Sequence, residues 1–185
     1  MKLSSSRSLN DLRPLLLNPQ SAGPDPAYWL FSDMPSRWAN LTVIAPGRYG
    51  QEYTKTFGHY HSSLGPEIYF VASGRGILIL QKKHLENGVW KPETVEEVFL
   101  VEAQTGQQII IPPDYGHSWS NIGQDPLLLF DDWCAGHQPA DYEMISKLHG
   151  LAYYLTDNNG VVTPVLNPNY QAPAPKRVLA PDFKV

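Results

Sequence analysis

Residues 58–67 have the sequence GHYHSSLGPE. In an extended strand, the side chains at positions i and i+2 project from the same face. His59 and His61 therefore face one side together, roughly 6–7 Å apart along the backbone, and Tyr60 faces the other side. The residues after His61 predict a turn, so that Glu67 begins a new strand beside the first. This stretch brings two imidazoles and one carboxylate towards a single point.

A third histidine, His117, follows the strand-like run Ile109-Ile110-Ile111 and the turn PPDYG at residues 112–116. We expect His117 to close the site from a neighbouring strand. Three histidines and one glutamate suit Fe(II), Mn, Ni, Zn or Co, with coordination positions left open for water or substrate. A single His-x-His pair is a weak signal, whereas the full set predicts a metal site. Its predicted ligands are His59, His61, Glu67 and His117.

The rest of the chain predicts short strands that are separated by turns. Apolar, aromatic and β-branched residues favour strands at 38–45, 53–57, 67–72, 76–82, 95–102, 108–111, 127–132, 152–156 and 161–166. Asn87-Gly88 and the sequence DNNG at 157–160 predict hairpin turns, because these residues accept positive φ. One short helix is predicted at 140–148. Many short strands with little helix indicate an all-β sandwich or barrel.

A chain of 185 residues corresponds to about one domain. We divide it into an N-terminal arm at 1–27, a barrel at 28–166 and a C-terminal tail at 167–185. Four prolines in the arm exclude a helix of more than two turns. The tail is also rich in proline and is expected to lie extended over the surface or to be disordered.

Composition excludes several classes of function. The 14 Lys and Arg and the 18 Asp and Glu residues give a formal charge of −4, which argues against a nucleic-acid partner or a basic membrane-surface protein. The one cysteine, Cys134, permits neither an intrachain disulfide nor a multi-cysteine zinc site. Neither a transmembrane run nor a signal-peptide core is present. We therefore expect a cytoplasmic protein without a membrane partner.

Some residues permit both a structural and a functional interpretation. Thr42 and Thr56 lie on adjacent predicted strands, where β-propensity alone explains threonine; their hydroxyls could equally hydrogen-bond phosphate oxygens. Lys55 is expected to be solvated. His137 follows the predicted strand at 127–132, and both roles stay open for it.

The motifs resemble those of the cupin superfamily. Its first motif has the form Gly-x5-His-x-His-x(3–6)-Glu-x6-Gly and its second the form Gly-x5-Pro-x-Gly-x2-His-x3-Asn. The matching residues are His59, His61, Glu67 and Gly74 for the first motif, and Gly106, Pro112, His117 and Asn121 for the second. The resemblance implies a double-stranded β-helix (jelly-roll) barrel, here with extended N- and C-terminal arms.

Within the cupins, the sequence is similar to the archaeal-type glucose-6-phosphate isomerases over about residues 28–165. The similarity rests on FSDM at 31–34, TFGHYH at 56–61, EIYFV at 67–71 and NIG at 121–123. It implies reversible conversion of glucose 6-phosphate to fructose 6-phosphate with one divalent metal ion per chain. Fe²⁺ is the first choice, and Mn²⁺, Ni²⁺, Co²⁺ and Zn²⁺ are the alternatives. The expected partner is a small sugar phosphate, and the expected assembly is a homodimer.

The same resemblance implies roles for individual residues. The metal ligands are His59, His61, Glu67 and His117, and the catalytic residues are Glu67, Tyr69 and His137. Substrate contacts fall to Thr42, Thr56, Gly58 and Tyr142. Three extra residues at 138–140 separate His137 from Tyr142, so the two cannot both keep the family's register.

Two alternatives to this activity remain at the level of sequence. One is another metal-dependent cupin enzyme, either an Fe(II) dioxygenase or a different sugar-phosphate isomerase, with the same four ligands. The other is a cupin that binds a sugar without catalysis. The mechanism is also open: Glu67 acts as the base of an enediol route, or hydride moves directly between C1 and C2 and Glu67 is only a ligand.

Overall fold

The computed structural model of the protein describes residues 1–35, 37–61 and 65–184. Part of the turn predicted after His61, residues 62–64, lies outside the described residues. The strands are β1 (Lys2–Arg7), β2 (Tyr28–Ser32), β3 (Asn40–Ile44), β4 (Arg48–Tyr49), β5 (Glu52–Tyr53), β6 (Glu67–Ser73), β7 (Arg75–Glu86), β8 (Val89–Gln104), β9 (Gln108–Ile111), β10 (Tyr115–Asn121), β11 (Leu127–Asp131), β12 (Tyr153–Asn158), β13 (Val161–Leu166) and β14 (Lys176–Leu179). The helices are α1 (Leu9–Leu12) and α2 (Pro139–Lys147).

The strands form three sheets. The first is antiparallel throughout and has the order β1-β2-β3-β11-β6-β9. The second has the order β10-β7-β8-β14, with β14 parallel to β8. The third, β13-β12-β5-β4, is smaller. The prediction of a β fold with little helix is confirmed, although the hydrogen-bond ladders among the described residues do not join the sheets into a closed barrel.

Strand β7 shows how the core is divided, because its side chains alternate between two apolar clusters. Leu78 and Leu80 belong to the cluster between the first and second sheets, together with Val71 and Leu129 of the first sheet. Ile77 and Ile79 face the opposite cluster. That cluster joins the second sheet to the N-terminal segment, α2 and the third sheet; its members include Leu12, Leu15, Tyr60, Val98, Ile145 and Leu155. Both faces of β7 are therefore buried.

Several predicted elements are confirmed. The strands β9 and β13 have the predicted bounds, and α2 begins one residue before the predicted helix. The two predicted hairpin turns connect β7 to β8 and β12 to β13. Their central residues have the positive φ values that the turns require: 52° at Asn87, 78° at Gly88, 54° at Asn159 and 83° at Gly160.

Other predictions were wrong in detail. The strand predicted at 53–57 ends at Tyr53, and Lys55 forms only an isolated bridge with Ser120. Lys55 is buried rather than solvated. Glu67 does begin a strand, but β6 lies between β11 and β9 in the first sheet and not beside the segment that carries His59. The strands β1, β2, β4 and β14 were not predicted, and β10 was expected only as a strand near His117, without bounds.

Both ends of the chain pack onto the barrel. The arm contributes β1 to the first sheet and then the single-turn helix α1, whose start is capped by reciprocal hydrogen bonds between Ser8 and Asp11. Leu12 and Leu15 of this segment are fully buried. The tail is extended and adds β14 to the edge of the second sheet. The described helices are too short and too polar to cross a bilayer.

Candidate metal centre

The segment that carries His59 runs antiparallel to β10, the strand that carries His117. The His59 N–H donates to the His117 carbonyl at 3.1 Å, and the His117 N–H donates to the His59 carbonyl at 2.9 Å. Tyr60 points to the opposite side, where Gln81 Nε2 donates to its hydroxyl at 2.5 Å. The predicted alternation of side chains is therefore confirmed, although the segment forms an isolated bridge rather than a regular strand. The prediction that His117 arrives from a neighbouring strand also holds.

Glu67 reaches the histidines from the facing sheet. Its carboxylate is fully buried and lies with Oε2 2.9 Å from His61 Nε2 and 3.2 Å from His117 Nε2. One potential ligand atom from each of His59, His61, Glu67 and His117 lies within 4.8 Å of the other three. All four side chains are buried. The two sheets thus meet at a compact set of three imidazoles and one carboxylate.

The environment favours the protonation states that metal binding needs. Burial raises the pKa of Glu67, but the adjacent His117 and His61 imidazoles outweigh this effect and hold the pKa at about 2. Burial lowers the pKa of His59 well below its ordinary value, and the neighbouring histidines lower it further. At neutral pH the centre consequently presents an ionised carboxylate and a neutral His59 imidazole, which are the forms that ligate metals.

The donor set fits a divalent metal ion. Among the described residues, buried Glu67 Oε1 has no hydrogen-bond partner, and buried His117 Nε2 forms no hydrogen bond of good geometry although it lies 3.2 Å from Glu67 Oε2. Buried polar atoms without partners are costly, and a bound cation would satisfy both of them. Imidazole and carboxylate donors together suit Fe(II), Mn, Co, Ni or Zn. These four residues could therefore hold one such ion.

Tyr69 and His137 both lie at the centre. Tyr69 follows Glu67 by two positions on β6, is buried, and has its ring centroid 6.0 Å from that of His117. Burial raises its pKa well above the ordinary value, and Glu67 adds to this effect. His137 Nε2 lies 2.8 Å from His59 Nε2. Burial lowers the pKa of His137 to about 4.

His137 and Tyr142 reach the same cavity in spite of the extra residues between them. The helix α2 begins at Pro139, so one helical turn takes up the insertion and brings Tyr142 back towards His137. Their ring centroids are 5.7 Å apart, and that of Tyr142 is 5.5 Å from that of His59. The insertion therefore does not separate the two side chains from each other or from the histidines.

A narrow cavity of about 70 Å³ lies beside the centre. The predicted substrate-binding residues Thr42, Thr56, Gly58 and Tyr142 all line it. A wider cavity of about 560 Å³ shares His137 and Tyr142 with it and extends past Trp38 and Trp133. The narrow cavity is therefore lined by the four predicted substrate-binding residues together with two of the predicted metal ligands, His59 and His117.

Sequence reasoning missed Asp131, which also lines the narrow cavity. Asp131 ends β11 and is buried; its Oδ1 accepts hydrogen bonds from Asn40 Nδ2 at 2.7 Å and from the Trp133 N–H at 3.1 Å. Burial raises its pKa to about 7, and the Glu67 charge contributes to the increase. The alternation of Leu127, Leu129 and Asp131 along one strand was the available signal, because it places the carboxylate on the inward face.

Arg7 is a second missed residue of the narrow cavity. Its guanidinium carbon lies 5.5 Å from the Phe57 ring centroid and 5.9 Å from that of Tyr142. No local sequence signal marks this position, since Arg7 belongs to the arm and reaches the cavity only through the pairing of β1 with β2.

The chain was compared with known proteins. A family model described as glucose-6-phosphate isomerase (GPI) matches residues 36–171. The putative glucose-6-phosphate isomerase 1 of Rhizobium meliloti (strain 1021) is 35% identical over 133 residues, which cover 71% of this chain and 56% of that protein. The glucose-6-phosphate isomerase of Thermococcus litoralis is 32% identical over 133 residues, covering 70% of this chain and 62% of the relative. A solved Drosophila melanogaster CENP-C cupin domain is 17% identical, with a TM-score of 0.38 over 60% of this chain and 70% of that chain.

The fold and the buried centre define the class as a mostly-β protein with a candidate metal site. The family match covers most of the chain, and the chain belongs to the glucose-6-phosphate isomerase family. It spans 56% and 62% of the lengths of the two relatives described above.

Proposed function

We propose that this protein is a metal-dependent aldose–ketose isomerase that interconverts glucose 6-phosphate and fructose 6-phosphate, a reaction of glycolysis and gluconeogenesis. The observation that carries the proposal is the set of three buried histidines and one buried glutamate beside a polar cavity, within the region that matches the isomerase family.

The proposed ligands of the metal are His59, His61, Glu67 and His117, and the proposed ion is Fe²⁺, with Mn²⁺, Ni²⁺, Co²⁺ or Zn²⁺ as alternatives. A divalent ion at this position would supply a Lewis acid that stabilises negative charge on the sugar oxygens. The protein's own contribution is to hold Glu67 ionised and buried beside that point.

Isomerisation moves one hydrogen between C1 and C2 and one proton between O1 and O2. In an enediol route, Glu67 takes the carbon-bound proton, because it is the carboxylate nearest to the three histidines. Tyr69 holds its phenolic proton at neutral pH and can donate a hydrogen bond to a sugar oxygen. His137, neutral at pH 7, offers a nitrogen that accepts or donates a proton there. In a direct hydride shift, Glu67 serves only as a ligand, and C2 would take up no solvent deuterium in a single turnover.

We assign the phosphate end of the substrate to Thr42, Thr56, Gly58 and Tyr142. Thr56 Oγ1 accepts a hydrogen bond from the Trp119 N–H at 3.1 Å and lies 3.2 Å from Ser118 Oγ, so a phosphate oxygen would replace Ser118 as the acceptor of its hydroxyl proton. Gly58 lines the same cavity and would contact the phosphate through its backbone.

The test is a coupled assay for glucose 6-phosphate formed from fructose 6-phosphate. The protein is stripped with EDTA and reloaded separately with Fe²⁺, Mn²⁺, Ni²⁺, Co²⁺ and Zn²⁺. We expect turnover only when a metal is bound. The variant His59→Ala should lose both the bound metal and the turnover. The matched control is His84→Ala, which removes a more exposed imidazole from β7 and should retain full activity.

Stoichiometric metal binding without turnover on any of these metals would overturn the isomerase. Oxygen consumption would then support the dioxygenase alternative, and sugar binding without turnover would support the non-catalytic one. The homodimer and the cytoplasmic location are also part of the proposal. A solution mass of about twice 20.7 kDa would support the dimer, and a mass near 20.7 kDa would remove it.

A further inference from the structure

We propose that Arg7 supplies the positive charge that binds the phosphate group of the substrate, so that the N-terminal strand completes the pocket. The proposal rests on the proposed function, because it assigns a role to one wall of the same cavity. Arg7 lies outside residues 36–171, the region that matches the family. It would therefore be a contribution of this chain's own N-terminal segment.

The position of Arg7 is fixed by two ladders of the first sheet. Arg7 pairs with Tyr28 across β1 and β2, and Tyr28 pairs with Ile44 across β2 and β3. Thr42 lies on the same β3 and pairs with Leu30. The ladder thus sets Arg7 and Thr42 on neighbouring parts of one sheet, and both line the narrow cavity.

The guanidinium is held at the cavity wall by aromatic rings. Its carbon lies 5.5 Å from the Phe57 ring centroid and 5.9 Å from that of Tyr142, within the range of cation–π attraction. Tyr142 and Thr56 belong to the proposed phosphate site, so the charge stands beside the groups that would contact the phosphate oxygens. A ring-supported guanidinium is oriented before the ligand arrives, and less entropy is lost on binding.

Arg7 forms no salt bridge with an acidic side chain among the described residues. Arg7 is also the only lysine or arginine among the described residues that line the narrow cavity. The guanidinium does act on Asp11 and on the Tyr28 hydroxyl, where it works to lower the pKa of each group. No carboxylate among the described residues neutralises it at contact distance, so it can still bind an anion.

The chemistry of the ligand calls for such a group. A sugar phosphate carries close to two negative charges at neutral pH, and burying them without compensation is costly. The threonine hydroxyls offer only neutral hydrogen bonds. Arginine adds a permanent charge and a planar set of donors that matches phosphate oxygens.

The experiment compares Arg7→Gln with Lys2→Gln, which removes the same charge from the exposed, distant end of the same strand. A charge-assisted hydrogen bond of ordinary strength predicts that Arg7→Gln raises the KM for fructose 6-phosphate by about 10- to 100-fold. We expect kcat and the bound metal to stay near their wild-type values, and Lys2→Gln to match the wild type in every respect. An unchanged KM in Arg7→Gln would overturn the proposal.

A binding measurement separates this proposal from the isomerase itself. Calorimetric titration with inorganic phosphate needs no turnover. Weaker phosphate binding in Arg7→Gln than in Lys2→Gln would support Arg7 even if no metal produced isomerase activity, and only the proposed function would then fail. Equal phosphate affinity in the two variants, or no phosphate binding by the wild type, would count against Arg7.

Arg7→Lys keeps the proposal testable if Arg7→Gln does not fold. Lysine retains the charge but loses the planar set of donors, so we expect an intermediate loss, roughly 3- to 10-fold in KM and in phosphate affinity. Wild-type values for both quantities in Arg7→Lys would overturn the role of the guanidinium.

Discussion

Gly58 shows how one residue positions the centre. Its φ is +82°, a value that side-chain-bearing residues rarely adopt. A Cβ at this position would lie 3.1 Å from the His117 carbonyl oxygen and 3.1 Å from the Ser118 Cβ. Because the same stretch forms the paired hydrogen bonds between His59 and His117, the missing side chain allows the two segments that carry these histidines to approach each other.

Replacing Gly58 with alanine tests this close approach. We expect a loss of about 2–4 kcal/mol in the free energy of unfolding, from the strained φ and the contact together, and weaker metal binding. The control is Gly88→Ala, because Gly88 has a similar φ of +78° and a Cβ added there would meet no described atom within 4 Å. That variant should lose only about 1 kcal/mol. Equal losses in urea denaturation would contradict the explanation.

Asp131 is the second residue whose environment has a measurable consequence. Its folded pKa is about 7, against 3.8 for an unperturbed aspartate. Between these values the unfolded chain has already released the proton that the folded chain still holds. Stability from this group is therefore complete below pH 4, falls as the pH rises from about 4 to 7, and stays low above pH 7.

Asp131→Asn should remove this dependence in the metal-free protein. The amide oxygen can still accept hydrogen bonds from Asn40 and the Trp133 N–H, while the titrating proton is gone. Relative to the wild type, the variant should gain roughly 2–4 kcal/mol between pH 4 and pH 8. Urea denaturation of both proteins across this range measures the difference. A difference that does not change with pH would contradict the expected titration.

At the scale of elements, a buried ion pair fixes the N-terminal segment to the barrel. Lys55 Nζ lies 2.6 Å from Glu52 Oε1 and donates to the Leu15 carbonyl at 2.6 Å. Glu52 Oε2 accepts the Leu17 N–H at 2.7 Å. Both charged side chains are buried. This cluster binds the backbone of the segment that follows α1 and so holds the buried side chains of Leu12 and Leu15 in place.

Glu52→Gln tests the contribution of the cluster. It leaves the Lys55 charge buried without its counter-charge, so we expect the free energy of unfolding to fall by about 3–5 kcal/mol. The control is Glu102→Gln. Glu102 forms its ion pair with Arg75 on the surface, and such a pair should contribute no more than about 1 kcal/mol to the free energy of unfolding. A loss in Glu52→Gln no larger than in Glu102→Gln would show that the N-terminal segment is held by its apolar residues alone.

The strand β10 shows why the bounds of some elements could not be predicted. Its sequence, YGHSWSN, has no apolar alternation, yet all seven residues are buried. They are enclosed because β7 pairs with one edge of β10 while the 54–61 segment bonds to the other. Burial of polar residues from both sides is a property of the assembled sheets and leaves no periodic pattern in the local sequence.

At the scale of the whole molecule, the long-range pairings had no local signal either. The strands β1 and β14 lie near the two ends of the chain and join different sheets. The prolines of 1–27 and 167–185 predicted an arm and a tail that is either extended over the surface or disordered; the strands β1 and β14 within these segments were not predicted. The pairing of β1 with β2 brings Arg7 to the cavity, so the missed strand β1 and the missed residue Arg7 have one cause.

The sequence by itself determined the local features. Asn87-Gly88 and Asn159-Gly160 specify their hairpins through positive φ, and the spacing of His59, His61 and Glu67 specifies a set of metal-binding donors. Only the tertiary structure decided that Glu67 approaches from the facing sheet, that Asp131 is buried beside it and that Arg7 lines the same cavity. The physical reason is that turns and side-chain alternation depend on neighbouring residues, whereas burial and strand pairing depend on which distant segments compete for the same surface.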